Sequence, residues 1–151
     1  MIIIRHKLET FDTARRQVGL TVDRHTLMKT RWRGMAHDGT EFGFDLEVPL
    51  RHDEVFFETD SAVFAIRQAA EPVLIVSSDI PWGSVAELAW SAGNLHQPIE
   101  VRADGMCLPD EPAVRAVLDK LHVGYSRADA IFRPQGGGVH SHHDKEHHAY
   151  H

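Results

Sequence analysis

Over the first seventy residues, apolar and polar positions alternate in short runs separated by turn-forming residues. Ile2, Ile3 and Ile4 form the first strand-like run, and residues 19–23 and 30–33 supply two more. Phe42, Phe44 and Leu46 alternate after His37-Asp38-Gly39-Thr40, whose Asp-Gly pair predicts a tight hairpin turn. Residues 49–53 break the alternation, and it resumes through residues 55–57 and 63–66. No long helical period interrupts this half. The pattern predicts a β-rich amino-terminal domain over residues 1–70, built from about six short strands.

From residue 71 the texture changes. Residues 72–78 are a continuous apolar run of the kind a buried strand shows. Ser84 and Glu87 stand in capping-box spacing, and Val85, Leu88, Ala89 and Ala92 follow at the spacing of one helical face. Gly93-Asn94 supplies residues tolerant of a left-handed exit, and Pro98 blocks further helix. Residues 99–102 and 106–108 flank Asp104-Gly105, a second hairpin signal. A second helix follows, with Pro112 in its first turn and Val114, Val117, Leu118 and Leu121 on one face. Ala128, Ala130 and Phe132 then alternate in a last strand. The order βαββαβ predicts a ferredoxin-like carboxy-terminal domain over residues 71–134, so the fold class is α+β. Residues 135–151 open with a Gly-rich hinge and continue as a polar, His-rich tail without apolar period, which its composition predicts to be disordered.

Composition narrows the function. A net charge of -6 and the lack of a basic stripe argue against nucleic-acid binding. The single cysteine excludes an intramolecular disulfide and suits a reducing compartment. The apolar start is cut off by Arg5-His6-Lys7, too short for a signal peptide or membrane span, so the expectation is a soluble, cytoplasmic protein without a membrane partner. Sequence patterns for nucleophilic or metallohydrolase chemistry, such as Gly-x-Ser-x-Gly and His-Glu-x-x-His, are absent. Cys107 reads as a small buried hydrophobe, Trp82 and Trp90 as packing residues, and Asp53-Glu54 and Asp110-Glu111 as solvated charge. His6, His25, His37, His52 and His122 are scattered and are assigned no role. The protein is not expected to be an enzyme.

The candidate chemistry is metal binding. His140, His142, His143, His147, His148 and His151 fall within the last twelve residues, interleaved with Ser, Asp, Lys, Glu and Ala unlike the uninterrupted run of a purification tag. Imidazoles so spaced can wrap a divalent cation, and such sites suit Ni, Cu, Zn and Co without ranking them. His96 sits at the predicted helix–strand boundary and supplies one ligand. A two-fold homodimer would bring it to its own copy and leave coordination positions open.

Gly93-Asn94-Leu95-His96, followed by Pro98, resembles the Gly-Asn-Arg-His signature of the UreE-type urease accessory proteins, which are nickel metallochaperones. Leu95 stands where Arg is usual. Asp23-Arg24, residues 29–33 and residues 50–53 also resemble the family's amino-terminal pattern. The resemblance implies a homodimer in which His96 of each chain meets its copy to bind Ni(II), with the tail collecting further metal. It implies delivery to the urease apoenzyme in complex with its other accessory proteins, a GTPase among them. It also implies an amino-terminal domain similar to peptide-binding modules that contacts those partners. Many members carry further histidines near the start of the second helix, where this chain reads Leu108-Pro-Asp-Glu-Pro112. Zn(II) or Cu(II) is expected to compete in vitro. The competing readings are a nickel or zinc buffer without delivery, and a hydrolase using Cys107 or a bound metal.

Overall fold

The computed structural model describes residues 1–134. In chain order the elements are β1 (Ile2–Ile4), β2 (Arg16–Val22), α1 (Arg24–Leu27), β3 (Arg31–Met35), β4 (Glu41–Asp45), β5 (Val55–Glu58), β6 (Ala62–Gln68), β7 (Glu71–Ser77), α2 (Trp82–Asn94), β8 (Glu100–Arg102), β9 (Gly105–Pro109), α3 (Pro112–Lys120) and β10 (Ser126–Ala130). The chain is mixed α+β, rich in strands and poor in helix.

Six strands build two three-stranded sheets in the order β1-β4-β3 and β2-β6-β5. Their inward residues form one core that includes Ile4, Val18, Leu20, Phe42, Phe44, Phe56, Phe64 and Ile66. Phe42 is at its centre, with ring centroids 5.0 Å from Phe56, 5.2 Å from Phe64 and 5.4 Å from Phe57, each edge-on. Such pairs contribute about 0.5–1.5 kcal/mol each beyond the area they bury. Trp32 stacks on Phe44 at 3.8 Å.

The predicted tight turn between β3 and β4 is a longer device. Gly39 N–H donates to Ala36 O and Ala36 N–H to Thr40 O, with Gly39 at φ 88°. This is a type I turn closed by a left-handed glycine, a three-residue hairpin loop rather than a two-residue one. Asp38 accepts from Thr40 N–H at 3.0 Å, a side-chain turn of the kind Asp makes with the backbone two residues on.

The remaining four strands form one antiparallel sheet in the order β10-β7-β9-β8, with α2 and α3 on one face. Leu74, Val76, Met106 and Leu108 point to the helices and meet Leu88, Ala92, Val114 and Leu118. Val73 and Cys107 point the other way and pack on Phe132. Both faces of β7 are covered, which is why its sequence is continuously apolar instead of alternating. Phe132 was expected inside the last strand, but β10 ends at Ala130 and most of its residues are exposed. The fully buried Phe132 lies beyond it, as a plug on the sheet's second face.

Gly105 closes the β8–β9 hairpin at φ 152°, and a Cβ there would lie 2.0 Å from the Val76 carbonyl oxygen on β7. Only glycine lets the two strands approach so closely.

Side chains tie the halves together. The Arg24 guanidinium makes a two-pronged ion pair with Glu71, at 2.9 and 3.1 Å, and lies 5.0 Å over the Phe132 ring. The buried Gln68 donates from Nε2 to Phe132 O at 2.7 Å. Among the described residues no helix is long and apolar enough to cross a membrane.

Candidate metal centre

α2 begins three residues earlier than its capping-box spacing predicts. Pro81 is the N-cap, without a side-chain bond, and Ser84 lies inside the first turn. The helix then runs through Gly93-Asn94, the pair expected to turn out of it. Leu95 is the C-cap, and the left-handed residue is His96 itself, at φ 54°. His96 N–H donates to Gly93 O at 3.0 Å and Gln97 N–H to Ala92 O at 2.9 Å. This pair of bonds is a Schellman closure with histidine in the position glycine usually takes. Pro98 keeps Gln97 out of helical conformation and so fixes where the closure falls. Pro98 is the stop that the sequence predicts; what the sequence reading misplaces is the left-handed residue, set at Gly93-Asn94 rather than at His96.

His122 repeats the arrangement at the end of α3, at φ 53°, with N–H bonds from His122 to Asp119 O and from Val123 to Leu118 O. An L-residue in this region costs about 1–2 kcal/mol against the right-handed alternative. Both imidazoles are exposed.

Among the described residues, the face of α2 leading to His96 has no partner. Leu88 and Ala92 are buried, but Ala89, expected with them, is exposed. Trp82, Ala86, Ala89, Trp90 and Gly93 form an outward stripe at i, i+4, i+7, i+8 and i+11, almost without charge. Trp82 and Trp90 were expected to pack; they are 81% and 72% exposed. A helix apolar on both sides belongs inside something larger.

Just past His96, β8 opens with Glu100. Its Oε1 accepts from Arg102 Nε at 3.0 Å, and its Oε2 accepts from Arg102 Nη2 at 3.1 Å and from the Arg133 backbone N–H at 2.8 Å. Burial pushes this carboxyl up, but the Arg102 bond, the Arg133 N–H and the two positive charges outweigh it and hold it below the usual carboxylate range. No sequence signal joins Glu100 to a residue 33 positions away.

Other candidates resolve into structure. Cys107 is fully buried, and burial raises its thiol above the ordinary value, the reverse of an activated nucleophile. Asp110 is not the solvated charge expected of it; it is mostly buried and paired with Arg115 and, at 3.3 Å, with Arg127. His52 accepts at Nδ1 from Gln68 N–H at 2.9 Å, and His37 bonds Thr21 Oγ1 at 2.8 Å. Among the described residues no three His, Cys, Asp or Glu side chains cluster closely enough to hold a metal ion. The predicted tail ligands His140, His142, His143, His147, His148 and His151 lie outside the described residues.

The family model for the carboxy-terminal domain of the UreE urease accessory protein matches residues 71–151. This chain belongs to the UreE family. The urease accessory protein UreE of Paracoccus denitrificans (strain Pd 1222) is 33% identical over 137 residues, covering 89% of this chain and 82% of its own. The UreE of Rhodobacter capsulatus is 32% identical over 120 residues, covering 78% and 74%. That of Ectopseudomonas mendocina (strain ymp) is 28% identical over 151 residues, 98% of this chain and 89% of its own. The similarity to UreE proteins therefore extends through the β-rich half as well as the matched domain.

Proposed function

We propose that this protein is a homodimeric, cytoplasmic carrier that collects Ni(II) as cargo and delivers it to the urease apoenzyme and its accessory partners, a GTPase among them. In this reading residues 1–70 form a partner-binding domain, residues 71–134 a ferredoxin-like metal-binding domain, and residues 135–151 a metal-collecting tail. No step is catalytic. The observation that carries the reading is His96. It is an exposed imidazole in a backbone position that favours glycine, at the end of an exposed apolar helix face, and among the described residues it belongs to no cluster of three metal-ligating side chains.

One imidazole cannot hold a cation that takes four or more ligands. A two-fold axis beside the α2 stripe covers Trp82 and Trp90 and brings His96 to its copy, so one operation meets both needs. Two imidazoles leave positions open, the condition for a site that must release its cargo. The tail histidines supply further nitrogen ligands, and Zn(II) or Cu(II) competes for the same donors.

The test is light scattering with nickel titration of the full chain, followed by co-purification with a urease assembly complex. The reading expects a dimer whose tightest nickel site disappears in His96→Ala while most of the capacity remains. A monomer at tens of micromolar, with and without nickel, would end the shared-site mechanism. A dimer with the His96 site intact that never associates with the urease complex would instead be a buffer.

A further inference from the structure

We infer that the outward face of the β1-β4-β3 sheet is the surface on which residues 1–70 dock an acidic protein partner, an inference resting on the reading of that half as a partner-binding domain. Among the described residues the other sheets are covered on their outward sides. Val55, Val63 and Ala65 of the β2-β6-β5 sheet lie under Leu8 and Phe11. The carboxy-terminal sheet has α2 and α3 on one face and Phe132 on the other. No such layer of described residues lies outside β1-β4-β3.

The strand register fixes what this face presents. Phe42 and Phe44 point into the core, so Glu41, Gly43 and Asp45 point out. Gly43 lies between Ile3 on β1 and Arg33 on β3, while Met35 stands opposite Glu41 and Arg31 opposite Asp45. A Cβ at Gly43 would lie 2.9 Å from Ile3 Cδ1 and 3.3 Å from Met1 Sδ, so those two side chains lie together over the glycine. They are still 50% and 63% exposed, and Met35 is 57% exposed. The solvent side of an antiparallel sheet is ordinarily polar. Here three large apolar side chains surround Glu41 and Gly43 at one end of it, the mark of an interaction site.

The other end is cationic. Asp45 Oδ1 accepts from Arg31 Nε at 2.8 Å, and its Oδ2 is 3.6 Å from Arg5 Nη1, so two guanidiniums share one carboxylate. Arg33 beside them is exposed and makes no ion pair among the described residues. Arginines thus outnumber carboxylates on this face, in a chain whose net charge is -6. Met and Arg are the side chains enriched at protein interfaces. The thioether adapts to an apolar neighbour, and the guanidinium fork matches a carboxylate. The occupant that fits sets an apolar side chain on Met1, Ile3 and Met35 and carboxylates on Arg33 and Arg31. A second copy on a two-fold axis would set a net-positive face against itself. Nucleic acid would be repelled by the charge of the whole chain and would leave the methionines unused.

The experiment measures binding of the full chain to a purified urease assembly complex, apoenzyme with its accessory proteins, by biolayer interferometry at about 50 and about 300 mM salt. The variants are Arg33→Glu, Met35→Ser and, as the same charge reversal on the other sheet, Arg16→Glu. The expected result is about a tenfold weakening in Arg33→Glu that shrinks at high salt, about a fivefold weakening in Met35→Ser at both, and none in Arg16→Glu. Should Arg33→Glu misfold by circular dichroism, Arg33→Gln removes the cation alone and is expected to weaken binding about threefold. Nickel titration of the same variants is expected to be unchanged; a matching loss there would overturn the inference, because the variants would be acting through the fold. Wild-type binding that the Arg33 and Met35 variants leave intact would overturn this inference alone, and so would an equal loss in Arg16→Glu. A wild type that binds no part of the complex would overturn it together with the parent reading. Light scattering that finds Arg33→Glu monomeric and the wild type dimeric would hand the face to a second copy. Single-stranded RNA bound by the wild type and lost by Arg33→Glu would hand it to nucleic acid; either result overturns the inference.

Discussion

Replacing His96 by glycine should make the metal-free protein more stable while destroying its tightest nickel site. Position 96 is held at φ 54° by two closing bonds and by Pro98, so the substitution leaves the backbone as it is. Relieving a left-handed L-residue recovers about 1–2 kcal/mol. Glycine gives back about 0.4–1 kcal/mol through the greater freedom of the unfolded chain. The net gain is about 0.5–1 kcal/mol, or a rise of roughly 1–4 °C in Tm for a chain of this size. His122 is the internal control. It has the same conformation, the same closure and similar exposure, so His122→Gly should stabilise equally and leave nickel binding unchanged. Thermal unfolding without metal at one fixed protein concentration, paired with nickel titration, measures both effects. A metal-free His96→Gly protein less stable than wild type would refute the reasoning, because the imidazole would then be contributing contacts to the fold. Loss of nickel affinity in His122→Gly would show that the two ends are not functionally distinct.

Removing the chain after Gly138 should lower nickel stoichiometry yet leave about one ion per dimer, counted by titration with elemental analysis. Gly105→Ala should cost about 3–5 kcal/mol in urea unfolding, since its Cβ would meet the Val76 carbonyl and φ 152° suits no L-residue. Asp23→Ala should cost about 0.5–1 kcal/mol, because Asp23 caps α1 through Thr26 N–H at 2.9 Å and the Thr26 hydroxyl at 2.6 Å. The Thr26 hydroxyl bond, aided by the backbone bond, lowers the Asp23 carboxyl below its ordinary value; its contribution is full above about pH 4 and fades as pH falls through the depressed value, so wild type and variant should converge in acid. Nickel affinity should fall as pH drops below about 6.5, where imidazole takes up the proton that metal must displace.

What could be read from the sequence follows from where each residue finds its partner. The six early strands were legible because their alternation is answered inside the chain, Phe42 and Phe44 by Phe56 and Phe64 across the core. β7 was legible for the complementary reason, an unbroken apolar run with both faces covered. Errors of two or three residues fell at the ends, where competing signals were close. Ser84-Glu87 offered a cap that Pro81 pre-empted, and Gly93-Asn94 offered an exit that Pro98 moved on to His96. The bonds that Glu100 accepts were illegible, because their donors at positions 102 and 133 are brought to it only by the folded sheet.

The α2 stripe is a different kind of case. Helical periodicity put Ala89 on the buried face with Val85, Leu88 and Ala92, and Trp82 and Trp90 were separately read as packing residues. Within one chain that assignment fails, since the sheet covers only the Leu88–Ala92 side. The rule itself need not fail. Burial of both faces of α2 is the ordinary outcome for so apolar a helix, and in the proposed dimer a second copy is the partner that would also complete a site at His96. Among the described residues, two exposed tryptophans and one left-handed histidine lie along one helix and its closure. That is the arrangement expected if assembly and cargo binding are the same event.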